Sequence, residues 1–227
     1  MAKKDIPQYI FWDLDGTLTE SGEGIINSVL YALEKKGIYE KDREKLASFV
    51  GPPLRESFMK HYGMDMQGAD ECLKSYREYF VERGMFENKV YPGIPEVLEK
   101  LYEEGYILVV ATSKPEPFSI KIAEHFDIAK YFRFIGGSSL DEKRNKKADV
   151  IRYVLDTLDL NASKDRIVMV GDREHDVSGA AENGIPCIGV LYGSGSREEL
   201  EAAGAAAICG TVQELLQCIE NFKFGQK

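Results

Sequence analysis

The sequence has no long hydrophobic run. Its longer apolar runs, such as the five residues from Ile107 to Ala111, fall well short of the roughly 20 needed to cross a bilayer. The first seven residues include two lysines, but no apolar stretch follows them, so we do not expect a secretory signal peptide. The sequence therefore predicts neither a membrane segment nor a membrane partner.

Positive charge is also scarce. The chain has 29 lysines and arginines against 38 aspartates and glutamates, which gives a net charge of −9. Such a balance disfavours binding to the phosphate backbone of a nucleic acid, so we expect no nucleic-acid partner. A small phosphorylated substrate remains compatible with it, because the local field of a binding site can oppose the net charge.

Cysteine is limited to four residues, and no two of them form a Cys-x-x-Cys pair. Cys187 and Cys209 lie within apolar segments, where a free cysteine packs as a small hydrophobic side chain. The sequence therefore predicts a reduced chain in the cytoplasm.

What the sequence does contain is an alternation of short apolar runs with longer helical patterns. Its 227 residues are 44% hydrophobic and 30% charged, enough for one full α/β domain with an insertion. The alternation predicts a Rossmann-like parallel sheet flanked by helices. The predicted strands cover residues 9–12, 106–111, 133–135, 167–170 and 186–190. The predicted helices cover residues 117–125, 147–158, 176–183 and 212–222, with one more that begins at the capping box of Ser196.

One stretch interrupts this alternation. Between residues 23 and 86 the pattern is helical, and no convincing strand occurs. Apolar residues there recur at helical spacing on one face, first at Ile25, Ile26, Val29, Leu30 and Leu33. We therefore predict an all-helical cap domain over residues 20–86, inserted between the two parts of a core domain, residues 1–19 and 87–227.

Polar side chains follow three of the predicted strands. Asp13 and Asp15 come after the first strand, and Thr112 and Ser113 come after the second. Asp172 follows a later strand, with Asp176 four residues on, and Lys147 opens the helix before that strand. Because the carboxyl ends of parallel strands form the ligand crevice of an open sheet, we expect these groups to converge.

Four carboxylates in one crevice would repel each other unless protons or a cation entered. Oxygen ligands without histidine or thiolate favour Mg²⁺. The hydroxyls of Thr112 and Ser113, the backbone amides around Gly16 and the ammonium of Lys147 can bind an anion beside it. This combination outlines a site for phosphoryl transfer.

The ordered motifs resemble those of the haloacid dehalogenase superfamily. They are Asp-x-Asp-Gly-Thr at residues 13–17, Thr-Ser at 112–113, a lysine, and Gly-Asp-x-x-x-Asp at 171–176. The helical insertion is similar to that of the subfamily with phosphoglycolate phosphatases and bacterial 5′-nucleotidases. The region 145–149 departs from the Lys-Pro pattern of these proteins and leaves Lys146 and Lys147 as alternatives, of which we favour Lys147.

The resemblance implies a role for each residue of the motifs. Asp13 would be the nucleophile, and Asp15 would be the general acid and base. Mg²⁺ would bind the carboxylates of Asp13 and Asp172 and the backbone carbonyl of Asp15, with Asp176 behind them. The phosphate would bind Thr112, Ser113, Lys147 and the tight turn at Gly16.

The leading hypothesis is a Mg²⁺-dependent phosphatase. Its substrate would be a small phosphorylated metabolite such as phosphoglycolate, a nucleoside monophosphate or a sugar phosphate. The alternatives are a sugar phosphomutase and a phosphate-binding module without turnover. In the cap, Arg55 follows Gly51-Pro52-Pro53-Leu54 and is the candidate for a substrate contact. We expect a monomer or a homodimer.

Overall fold

The computed structural model describes residues 8–141 and 143–225. Across these residues, parallel strands form one six-stranded sheet in the order β3-β2-β1-β4-β5-β6. The strands are β1 (Tyr9–Trp12), β2 (Ile107–Pro115), β3 (Phe132–Ser138), β4 (Ile167–Gly171), β5 (Cys187–Val190) and β6 (Ala207–Cys209). The predicted Rossmann-like parallel sheet is confirmed.

The sheet forms because its central strands are apolar on both faces. Successive side chains of a strand point to opposite faces, yet Ile10, Phe11 and Trp12 of β1 are all fully buried. Strands of this kind are typical of parallel sheets that helices cover on both sides. Strand β2 continues past the predicted end at Ala111 because it pairs with β3 as far as Pro115.

The chain divides into two compact units. Met1–Thr19 together with Val90–Lys227 forms the unit that holds the sheet, and Glu20–Lys89 forms the other. The helices of the second unit are α1 (Gly22–Glu34), α2 (Arg43–Ala47), α3 (Leu54–Tyr62) and α4 (Met66–Tyr79), and a π-helical turn, Phe80–Gly84, follows α4. That this helical unit serves as a cap stays a prediction.

The helices of the sheet-bearing unit follow in chain order. They are α5 (Ile94–Glu103), α6 (Glu116–His125), α7 (Lys147–Thr157), α8 (Glu174–Glu182), α9 (Arg197–Ala203) and α10 (Val212–Glu220). Helix α7 contributes Ile151 and Val154 to a buried cluster that also contains Phe11, Val109 and Met169 of the sheet. This core fixes the carboxyl ends of β1, β2 and β4, where the polar residues lie.

The structure corrects one expectation about cysteine. Cys209 forms a disulfide with Cys218, so it is not the free apolar side chain that the sequence suggests. The reason is that β6 ends at Cys209 and α10 begins at Val212, which returns Cys218 to the end of the strand. Cys72 and Cys187 are free and buried.

The lengths and compositions of the helices show whether any of them could span a membrane. Among residues 8–141 and 143–225, no helix has both the length and the apolar character that a bilayer span requires.

Candidate active site

Three carboxylates from two parts of the chain meet at one end of the sheet. Asp13 follows β1, and its backbone N–H donates to Val170 O of β4 at 2.9 Å. Asp172 follows β4, and Asp176 is the third residue of α8. One oxygen from each of the three carboxylates lies within 4.8 Å of the others. The strand-end positions thus bring together residues that are up to 163 positions apart, since Asp13 and Asp176 differ by that number.

Lys147 contributes the positive charge that touches this cluster. Its Nζ atom lies 2.7 Å from Asp13 Oδ1 and 2.7 Å from Asp176 Oδ1. It also donates to Ala111 O of β2 at 3.1 Å. Lys147 is the first residue of α7 and is buried, whereas Lys146 is exposed. Of the two alternative lysines, the structure therefore places Lys147 among the carboxylates.

Asp172 and Asp176 also accept hydrogen bonds from uncharged groups, namely one hydroxyl and two backbone N–H groups. Asp172 Oδ1 accepts from Thr17 Oγ1 at 3.3 Å, and Asp172 Oδ2 accepts from Ser194 N at 2.8 Å. Asp176 Oδ2 accepts from Arg173 N at 3.1 Å, which caps α8. Ser194 lies in a Gly-Ser-Gly segment that reads as an ordinary turn, so the sequence offered little signal for its contact with Asp172.

The cluster has more carboxylates than ammonium groups, and the pKa values of two of its aspartates are raised. Burial, followed by the charges of Asp176 and Asp13, raises the pKa of Asp172 to about 7. Burial also raises the pKa of Asp13 to about 6, although the nearby ammonium of Lys147 opposes that increase. Burial lowers the pKa of Lys147, but the two carboxylates beside it outweigh this effect and hold the pKa above its usual value.

These donors fit a hard divalent cation. Asp13 Oδ1 and Asp176 Oδ1 are both buried, and each lies 2.7 Å from the Lys147 ammonium. When all three carboxylates are ionised, they exceed the Lys147 ammonium by two negative charges in a buried space. Mg²⁺ would neutralise them, and oxygen is the ligand that it prefers. Asp13, Asp172 and Asp176 are therefore the side chains that would hold it.

The Asp15 carboxyl makes a different contact from the one that its sequence motif suggests. Its Oδ2 atom lies 2.7 Å from Lys114 Nζ, and the Lys114 side chain is only 6% exposed. Its Oδ1 atom is buried without a hydrogen-bond partner among the residues described. The sequence reading missed Lys114, although the residue lies two positions after Thr112 in the same strand.

Gly16 makes the turn between these groups possible. Its φ is +80°, which a residue with a side chain rarely adopts. A Cβ atom there would lie 2.2 Å from Asp172 Oδ2, so any side chain would displace that carboxylate. The requirement for glycine at this position therefore has a conformational and a steric cause.

The two predicted hydroxyl ligands lie on opposite sides of β2. Thr112 is buried; its Oγ1 accepts from Lys114 N at 3.2 Å, and its hydroxyl hydrogen-bonds to the Asp13 carboxyl, which opposes the rise in the pKa of Asp13. Ser113 is exposed, as expected for the residue between Thr112 and Lys114 in a strand. The structure thus brings Thr112 toward the charged residues but not the side chain of Ser113.

Arg55 lies in the helical unit, where it joins two helices. Its Nε donates to Asp70 Oδ1 at 2.6 Å, which links α3 to α4. Both side chains are partly exposed, at 31% and 49%. The contact with substrate that the sequence suggested for Arg55 stays a prediction.

Known proteins resemble this chain over nearly its whole length. Residues 10–190 match the family model for haloacid dehalogenase-like hydrolases. The chain is 47% identical to a 5′-nucleotidase from Pseudomonas aeruginosa over 93% of its own length and 95% of that protein. It is 36% identical to tyrosine-protein kinase PtkA from Mycobacterium tuberculosis over 94% of its own length and 72% of that protein. The crystal structure of a predicted phosphatase from Clostridium acetobutylicum superposes with a TM-score of 0.90 at 50% identity, covering 96% of this chain and 100% of that one.

Proposed function

The chain belongs to the haloacid dehalogenase-like hydrolases and is a phosphatase, and we propose that it hydrolyses a small phosphomonoester through a covalent phosphate on Asp13. The resemblance inferred from the ordered motifs is thereby confirmed at the level of the family. One observation carries the proposal: the Lys147 ammonium touches Asp13 within a cluster of three carboxylates at the end of the sheet.

Binding of the substrate would rest on the donors beside Asp13. The Lys147 ammonium and the Thr112 hydroxyl would bind oxygens of the phosphate, because both are buried and one of them carries charge. Mg²⁺, held by Asp13, Asp172 and Asp176, would offset the negative charge of the phosphate that has to approach a carboxylate. This arrangement lets an anion enter a site that is itself rich in carboxylates.

The first chemical step would transfer the phosphoryl group to Asp13. An oxygen of its carboxylate attacks phosphorus and forms an acyl phosphate bond, while the ester P–O bond breaks. The leaving oxygen takes the proton of the Asp15 carboxyl, so the alcohol departs neutral. Lys147 stabilises the charge that spreads over the phosphoryl oxygens in the transition state.

The second step would return the enzyme to its starting state. Asp15, now a carboxylate, takes a proton from water as the water oxygen attacks phosphorus. The acyl phosphate bond breaks, inorganic phosphate leaves, and Asp13 is again a free carboxylate. Asp15 regains its proton in this step, so the cycle needs no further reactant than water.

Nucleoside 5′-monophosphates are the first substrates to test. The relative from Pseudomonas aeruginosa is named a 5′-nucleotidase and matches this chain over almost its full length. Phosphoglycolate and sugar phosphates form the second group. The sugar phosphomutase alternative predicts an isomer rather than free phosphate, so product analysis separates the two reactions. The relative named PtkA adds one control, transfer of phosphate from ATP to a tyrosine peptide.

Asp13→Asn tests the covalent mechanism. An amide is a poor nucleophile and a poor Mg²⁺ ligand, so we expect turnover to fall by at least about 10³-fold. Acid quenching of the native protein during turnover should trap phosphate on Asp13, to be located by mass spectrometry. The exposed Asp156 of α7 supplies the matched control, Asp156→Asn, which should keep full activity. Substantial phosphate release by folded Asp13→Asn, or a trapped phosphate elsewhere, would refute the mechanism.

A further inference from the structure

We propose that Lys114 is a positioning residue, which fixes the Asp15 carboxyl so that one chosen oxygen exchanges the proton of the reaction. The inference rests on the proposed function, because it takes the acid and base role of Asp15 from there. It adds a residue that the motifs do not contain. The contact that carries it is the 2.7 Å approach of Lys114 Nζ to Asp15 Oδ2.

The backbone that carries Lys114 is fixed on both sides. Its N–H donates to Thr112 Oγ1 at 3.2 Å, and the next residue, Pro115, pairs with Ser138 of β3. A Cβ atom on Gly137 would lie 2.5 Å from the carbonyl oxygen of Lys114, so the glycine lets β3 lie directly against this segment. The Lys114 side chain therefore extends from an irregular segment of β2 that is paired with β3 at both of its ends, at Ala111 and at Pro115.

Burial makes the partner of this lysine important. The Lys114 side chain is 6% exposed, so its ammonium has lost most of its hydration. Asp15, with a side chain that is 20% exposed, provides an opposite charge at hydrogen-bond distance. Hydrogen bonds between charged groups are short and directional, so the contact restrains the orientation of the Asp15 carboxyl.

The two oxygens of Asp15 then have different surroundings. Oδ2 accepts the hydrogen bond from Lys114, whereas Oδ1 is buried and has no hydrogen-bond partner in residues 8–141 and 143–225. An oxygen that accepts from an ammonium is poorly placed to carry the acidic proton. Lys114 therefore leaves Oδ1 as the oxygen that gives the proton to the leaving group and takes one from water.

The inference has a kinetic consequence that depends on the leaving group. A good leaving group departs as an anion with little help, whereas an alkoxide needs the proton from Asp15. A misplaced acid therefore slows alkyl phosphates far more than p-nitrophenyl phosphate. A lysine that merely supported the fold or bound phosphate would affect both substrates alike.

The experiment is a single-turnover comparison of Lys114→Met with the native protein. Excess enzyme with Mg²⁺ is mixed with glycerol phosphate or with p-nitrophenyl phosphate, and the leaving group released in the first turnover is followed. We expect a loss of about 100-fold for glycerol phosphate and less than about fivefold for p-nitrophenyl phosphate. KM, measured separately at steady state with excess substrate, should stay within about twofold, since the lysine acts on Asp15 rather than on substrate.

Two further variants make the result specific. Lys114→Arg keeps the charge and should recover part of the loss with glycerol phosphate. Lys143→Met removes a lysine whose side chain is 87% exposed, and it should change neither rate. Equal losses with the two substrates, or a change confined to KM, would overturn the positioning role of Lys114.

A double variant keeps the inference testable if Lys114→Met does not fold. Asp15→Asn with Lys114→Met removes both charges of the Asp15–Lys114 contact together. If Lys114 acts only through Asp15, this double variant should match Asp15→Asn alone in its p-nitrophenyl phosphate rate. A further loss would refute the inference. Failure of the proposed function is seen separately, as native protein that forms no covalent phosphate on Asp13.

Discussion

Lys147 and Lys114 each lie 2.7 Å from an aspartate oxygen, but the charges around the two contacts differ. Lys147 divides its charge between Asp13 and Asp176, with Asp172 close by. Lys114 meets the carboxyl of Asp15, which stands outside that cluster. Around the first contact negative charge is in excess, which a cation would neutralise, whereas in the second the Lys114 ammonium faces the Asp15 carboxylate.

Two aspartates at one end of the sheet can therefore have different surroundings. Asp13 and Asp15 are only two residues apart, and Gly16 turns the chain directly after them. Asp13 belongs to the group that would bind Mg²⁺ and phosphate, and under the proposed mechanism it would serve as the nucleophile. The Asp15 carboxyl instead contacts Lys114, and under the proposed mechanism it would exchange the proton there. The two environments differ because Asp13 meets Lys147 at the start of α7, whereas Asp15 meets Lys114 in β2.

The largest effect should follow from breaking the first contact. Lys147→Met leaves three buried carboxylates without their ammonium, so we expect phosphate release to fall by at least about 10³-fold. The free energy of unfolding should fall by about 3–5 kcal/mol, as is usual when a buried ion pair loses one partner. Phosphate assays and urea unfolding would measure the two effects.

Lys146→Met is the matched control for that variant. It removes the neighbouring lysine, which is exposed, and should leave activity within about twofold because surface substitutions rarely matter. A comparable loss in both variants would show that the structure assigns the wrong lysine to the cluster.

A smaller effect, of opposite sign on stability, should follow from removing one excess charge. Burial raises the pKa of Asp172 to about 7, against an ordinary value near 4 for the unfolded chain. The folded chain therefore binds this proton more tightly. The stability that the proton provides is lost as the pH rises from about 4 to about 7. Asp172→Asn avoids this loss, and it should raise the free energy of unfolding at pH 8 without metal by about 1–3 kcal/mol.

Urea unfolding at two pH values and with Mg²⁺ would check this expectation. The advantage of Asp172→Asn should shrink at pH 5.5, where Asp172 of the native protein already holds its proton. Added Mg²⁺ should stabilise the native protein and stabilise the variant much less, because binding to the folded state alone shifts unfolding. A variant that is less stable at pH 8, or equal stabilisation by Mg²⁺, would contradict the charge-excess view of the cluster.

Much of the site could be predicted from the sequence, because the carboxyl ends of parallel strands lie at the same edge of a sheet. Asp13, Asp172 and Thr112 each come at or near the end of an apolar strand, and parallel strands bring those ends together. Lys114 was not readable in this way, because a lysine after polar residues normally faces water. Only the extension of β2 to Pro115 and the pairing with β3 bury it.

The parts of the fold that the sequence did not reveal are those with weak periodicity. Strand β6 is only three residues long, Ala207–Cys209, and follows other alanines, so no alternation marks it. The short helix α2 has five residues, too few for an amphipathic pattern. The disulfide between Cys209 and Cys218 depends on the placement of α10 against β6, which no spacing in the sequence specifies.

The smallest effect is expected from the helical unit, far along the chain from either lysine. Arg55→Ala breaks the ion pair with Asp70, which is partly exposed, and should lower the free energy of unfolding by only about 0.2–1 kcal/mol. If Arg55 also contacts substrate, kcat/KM for a nucleoside monophosphate should fall, because the activation free energy should rise by about 1–3 kcal/mol. The value for p-nitrophenyl phosphate should hardly change, because its leaving group offers no partner to the guanidinium.

Asp70→Ala separates the two roles of Arg55, because it breaks the same ion pair and keeps the arginine. Both variants should lose similar stability in urea unfolding. Only Arg55→Ala should lose activity toward the nucleotide relative to the aryl phosphate. Equal activity losses in the two variants would limit Arg55 to its link between α3 and α4. Unchanged activity in both variants would show that other residues recognise the leaving group. The contacts of Lys147 and Lys114 would then explain the phosphate chemistry but not the choice of substrate.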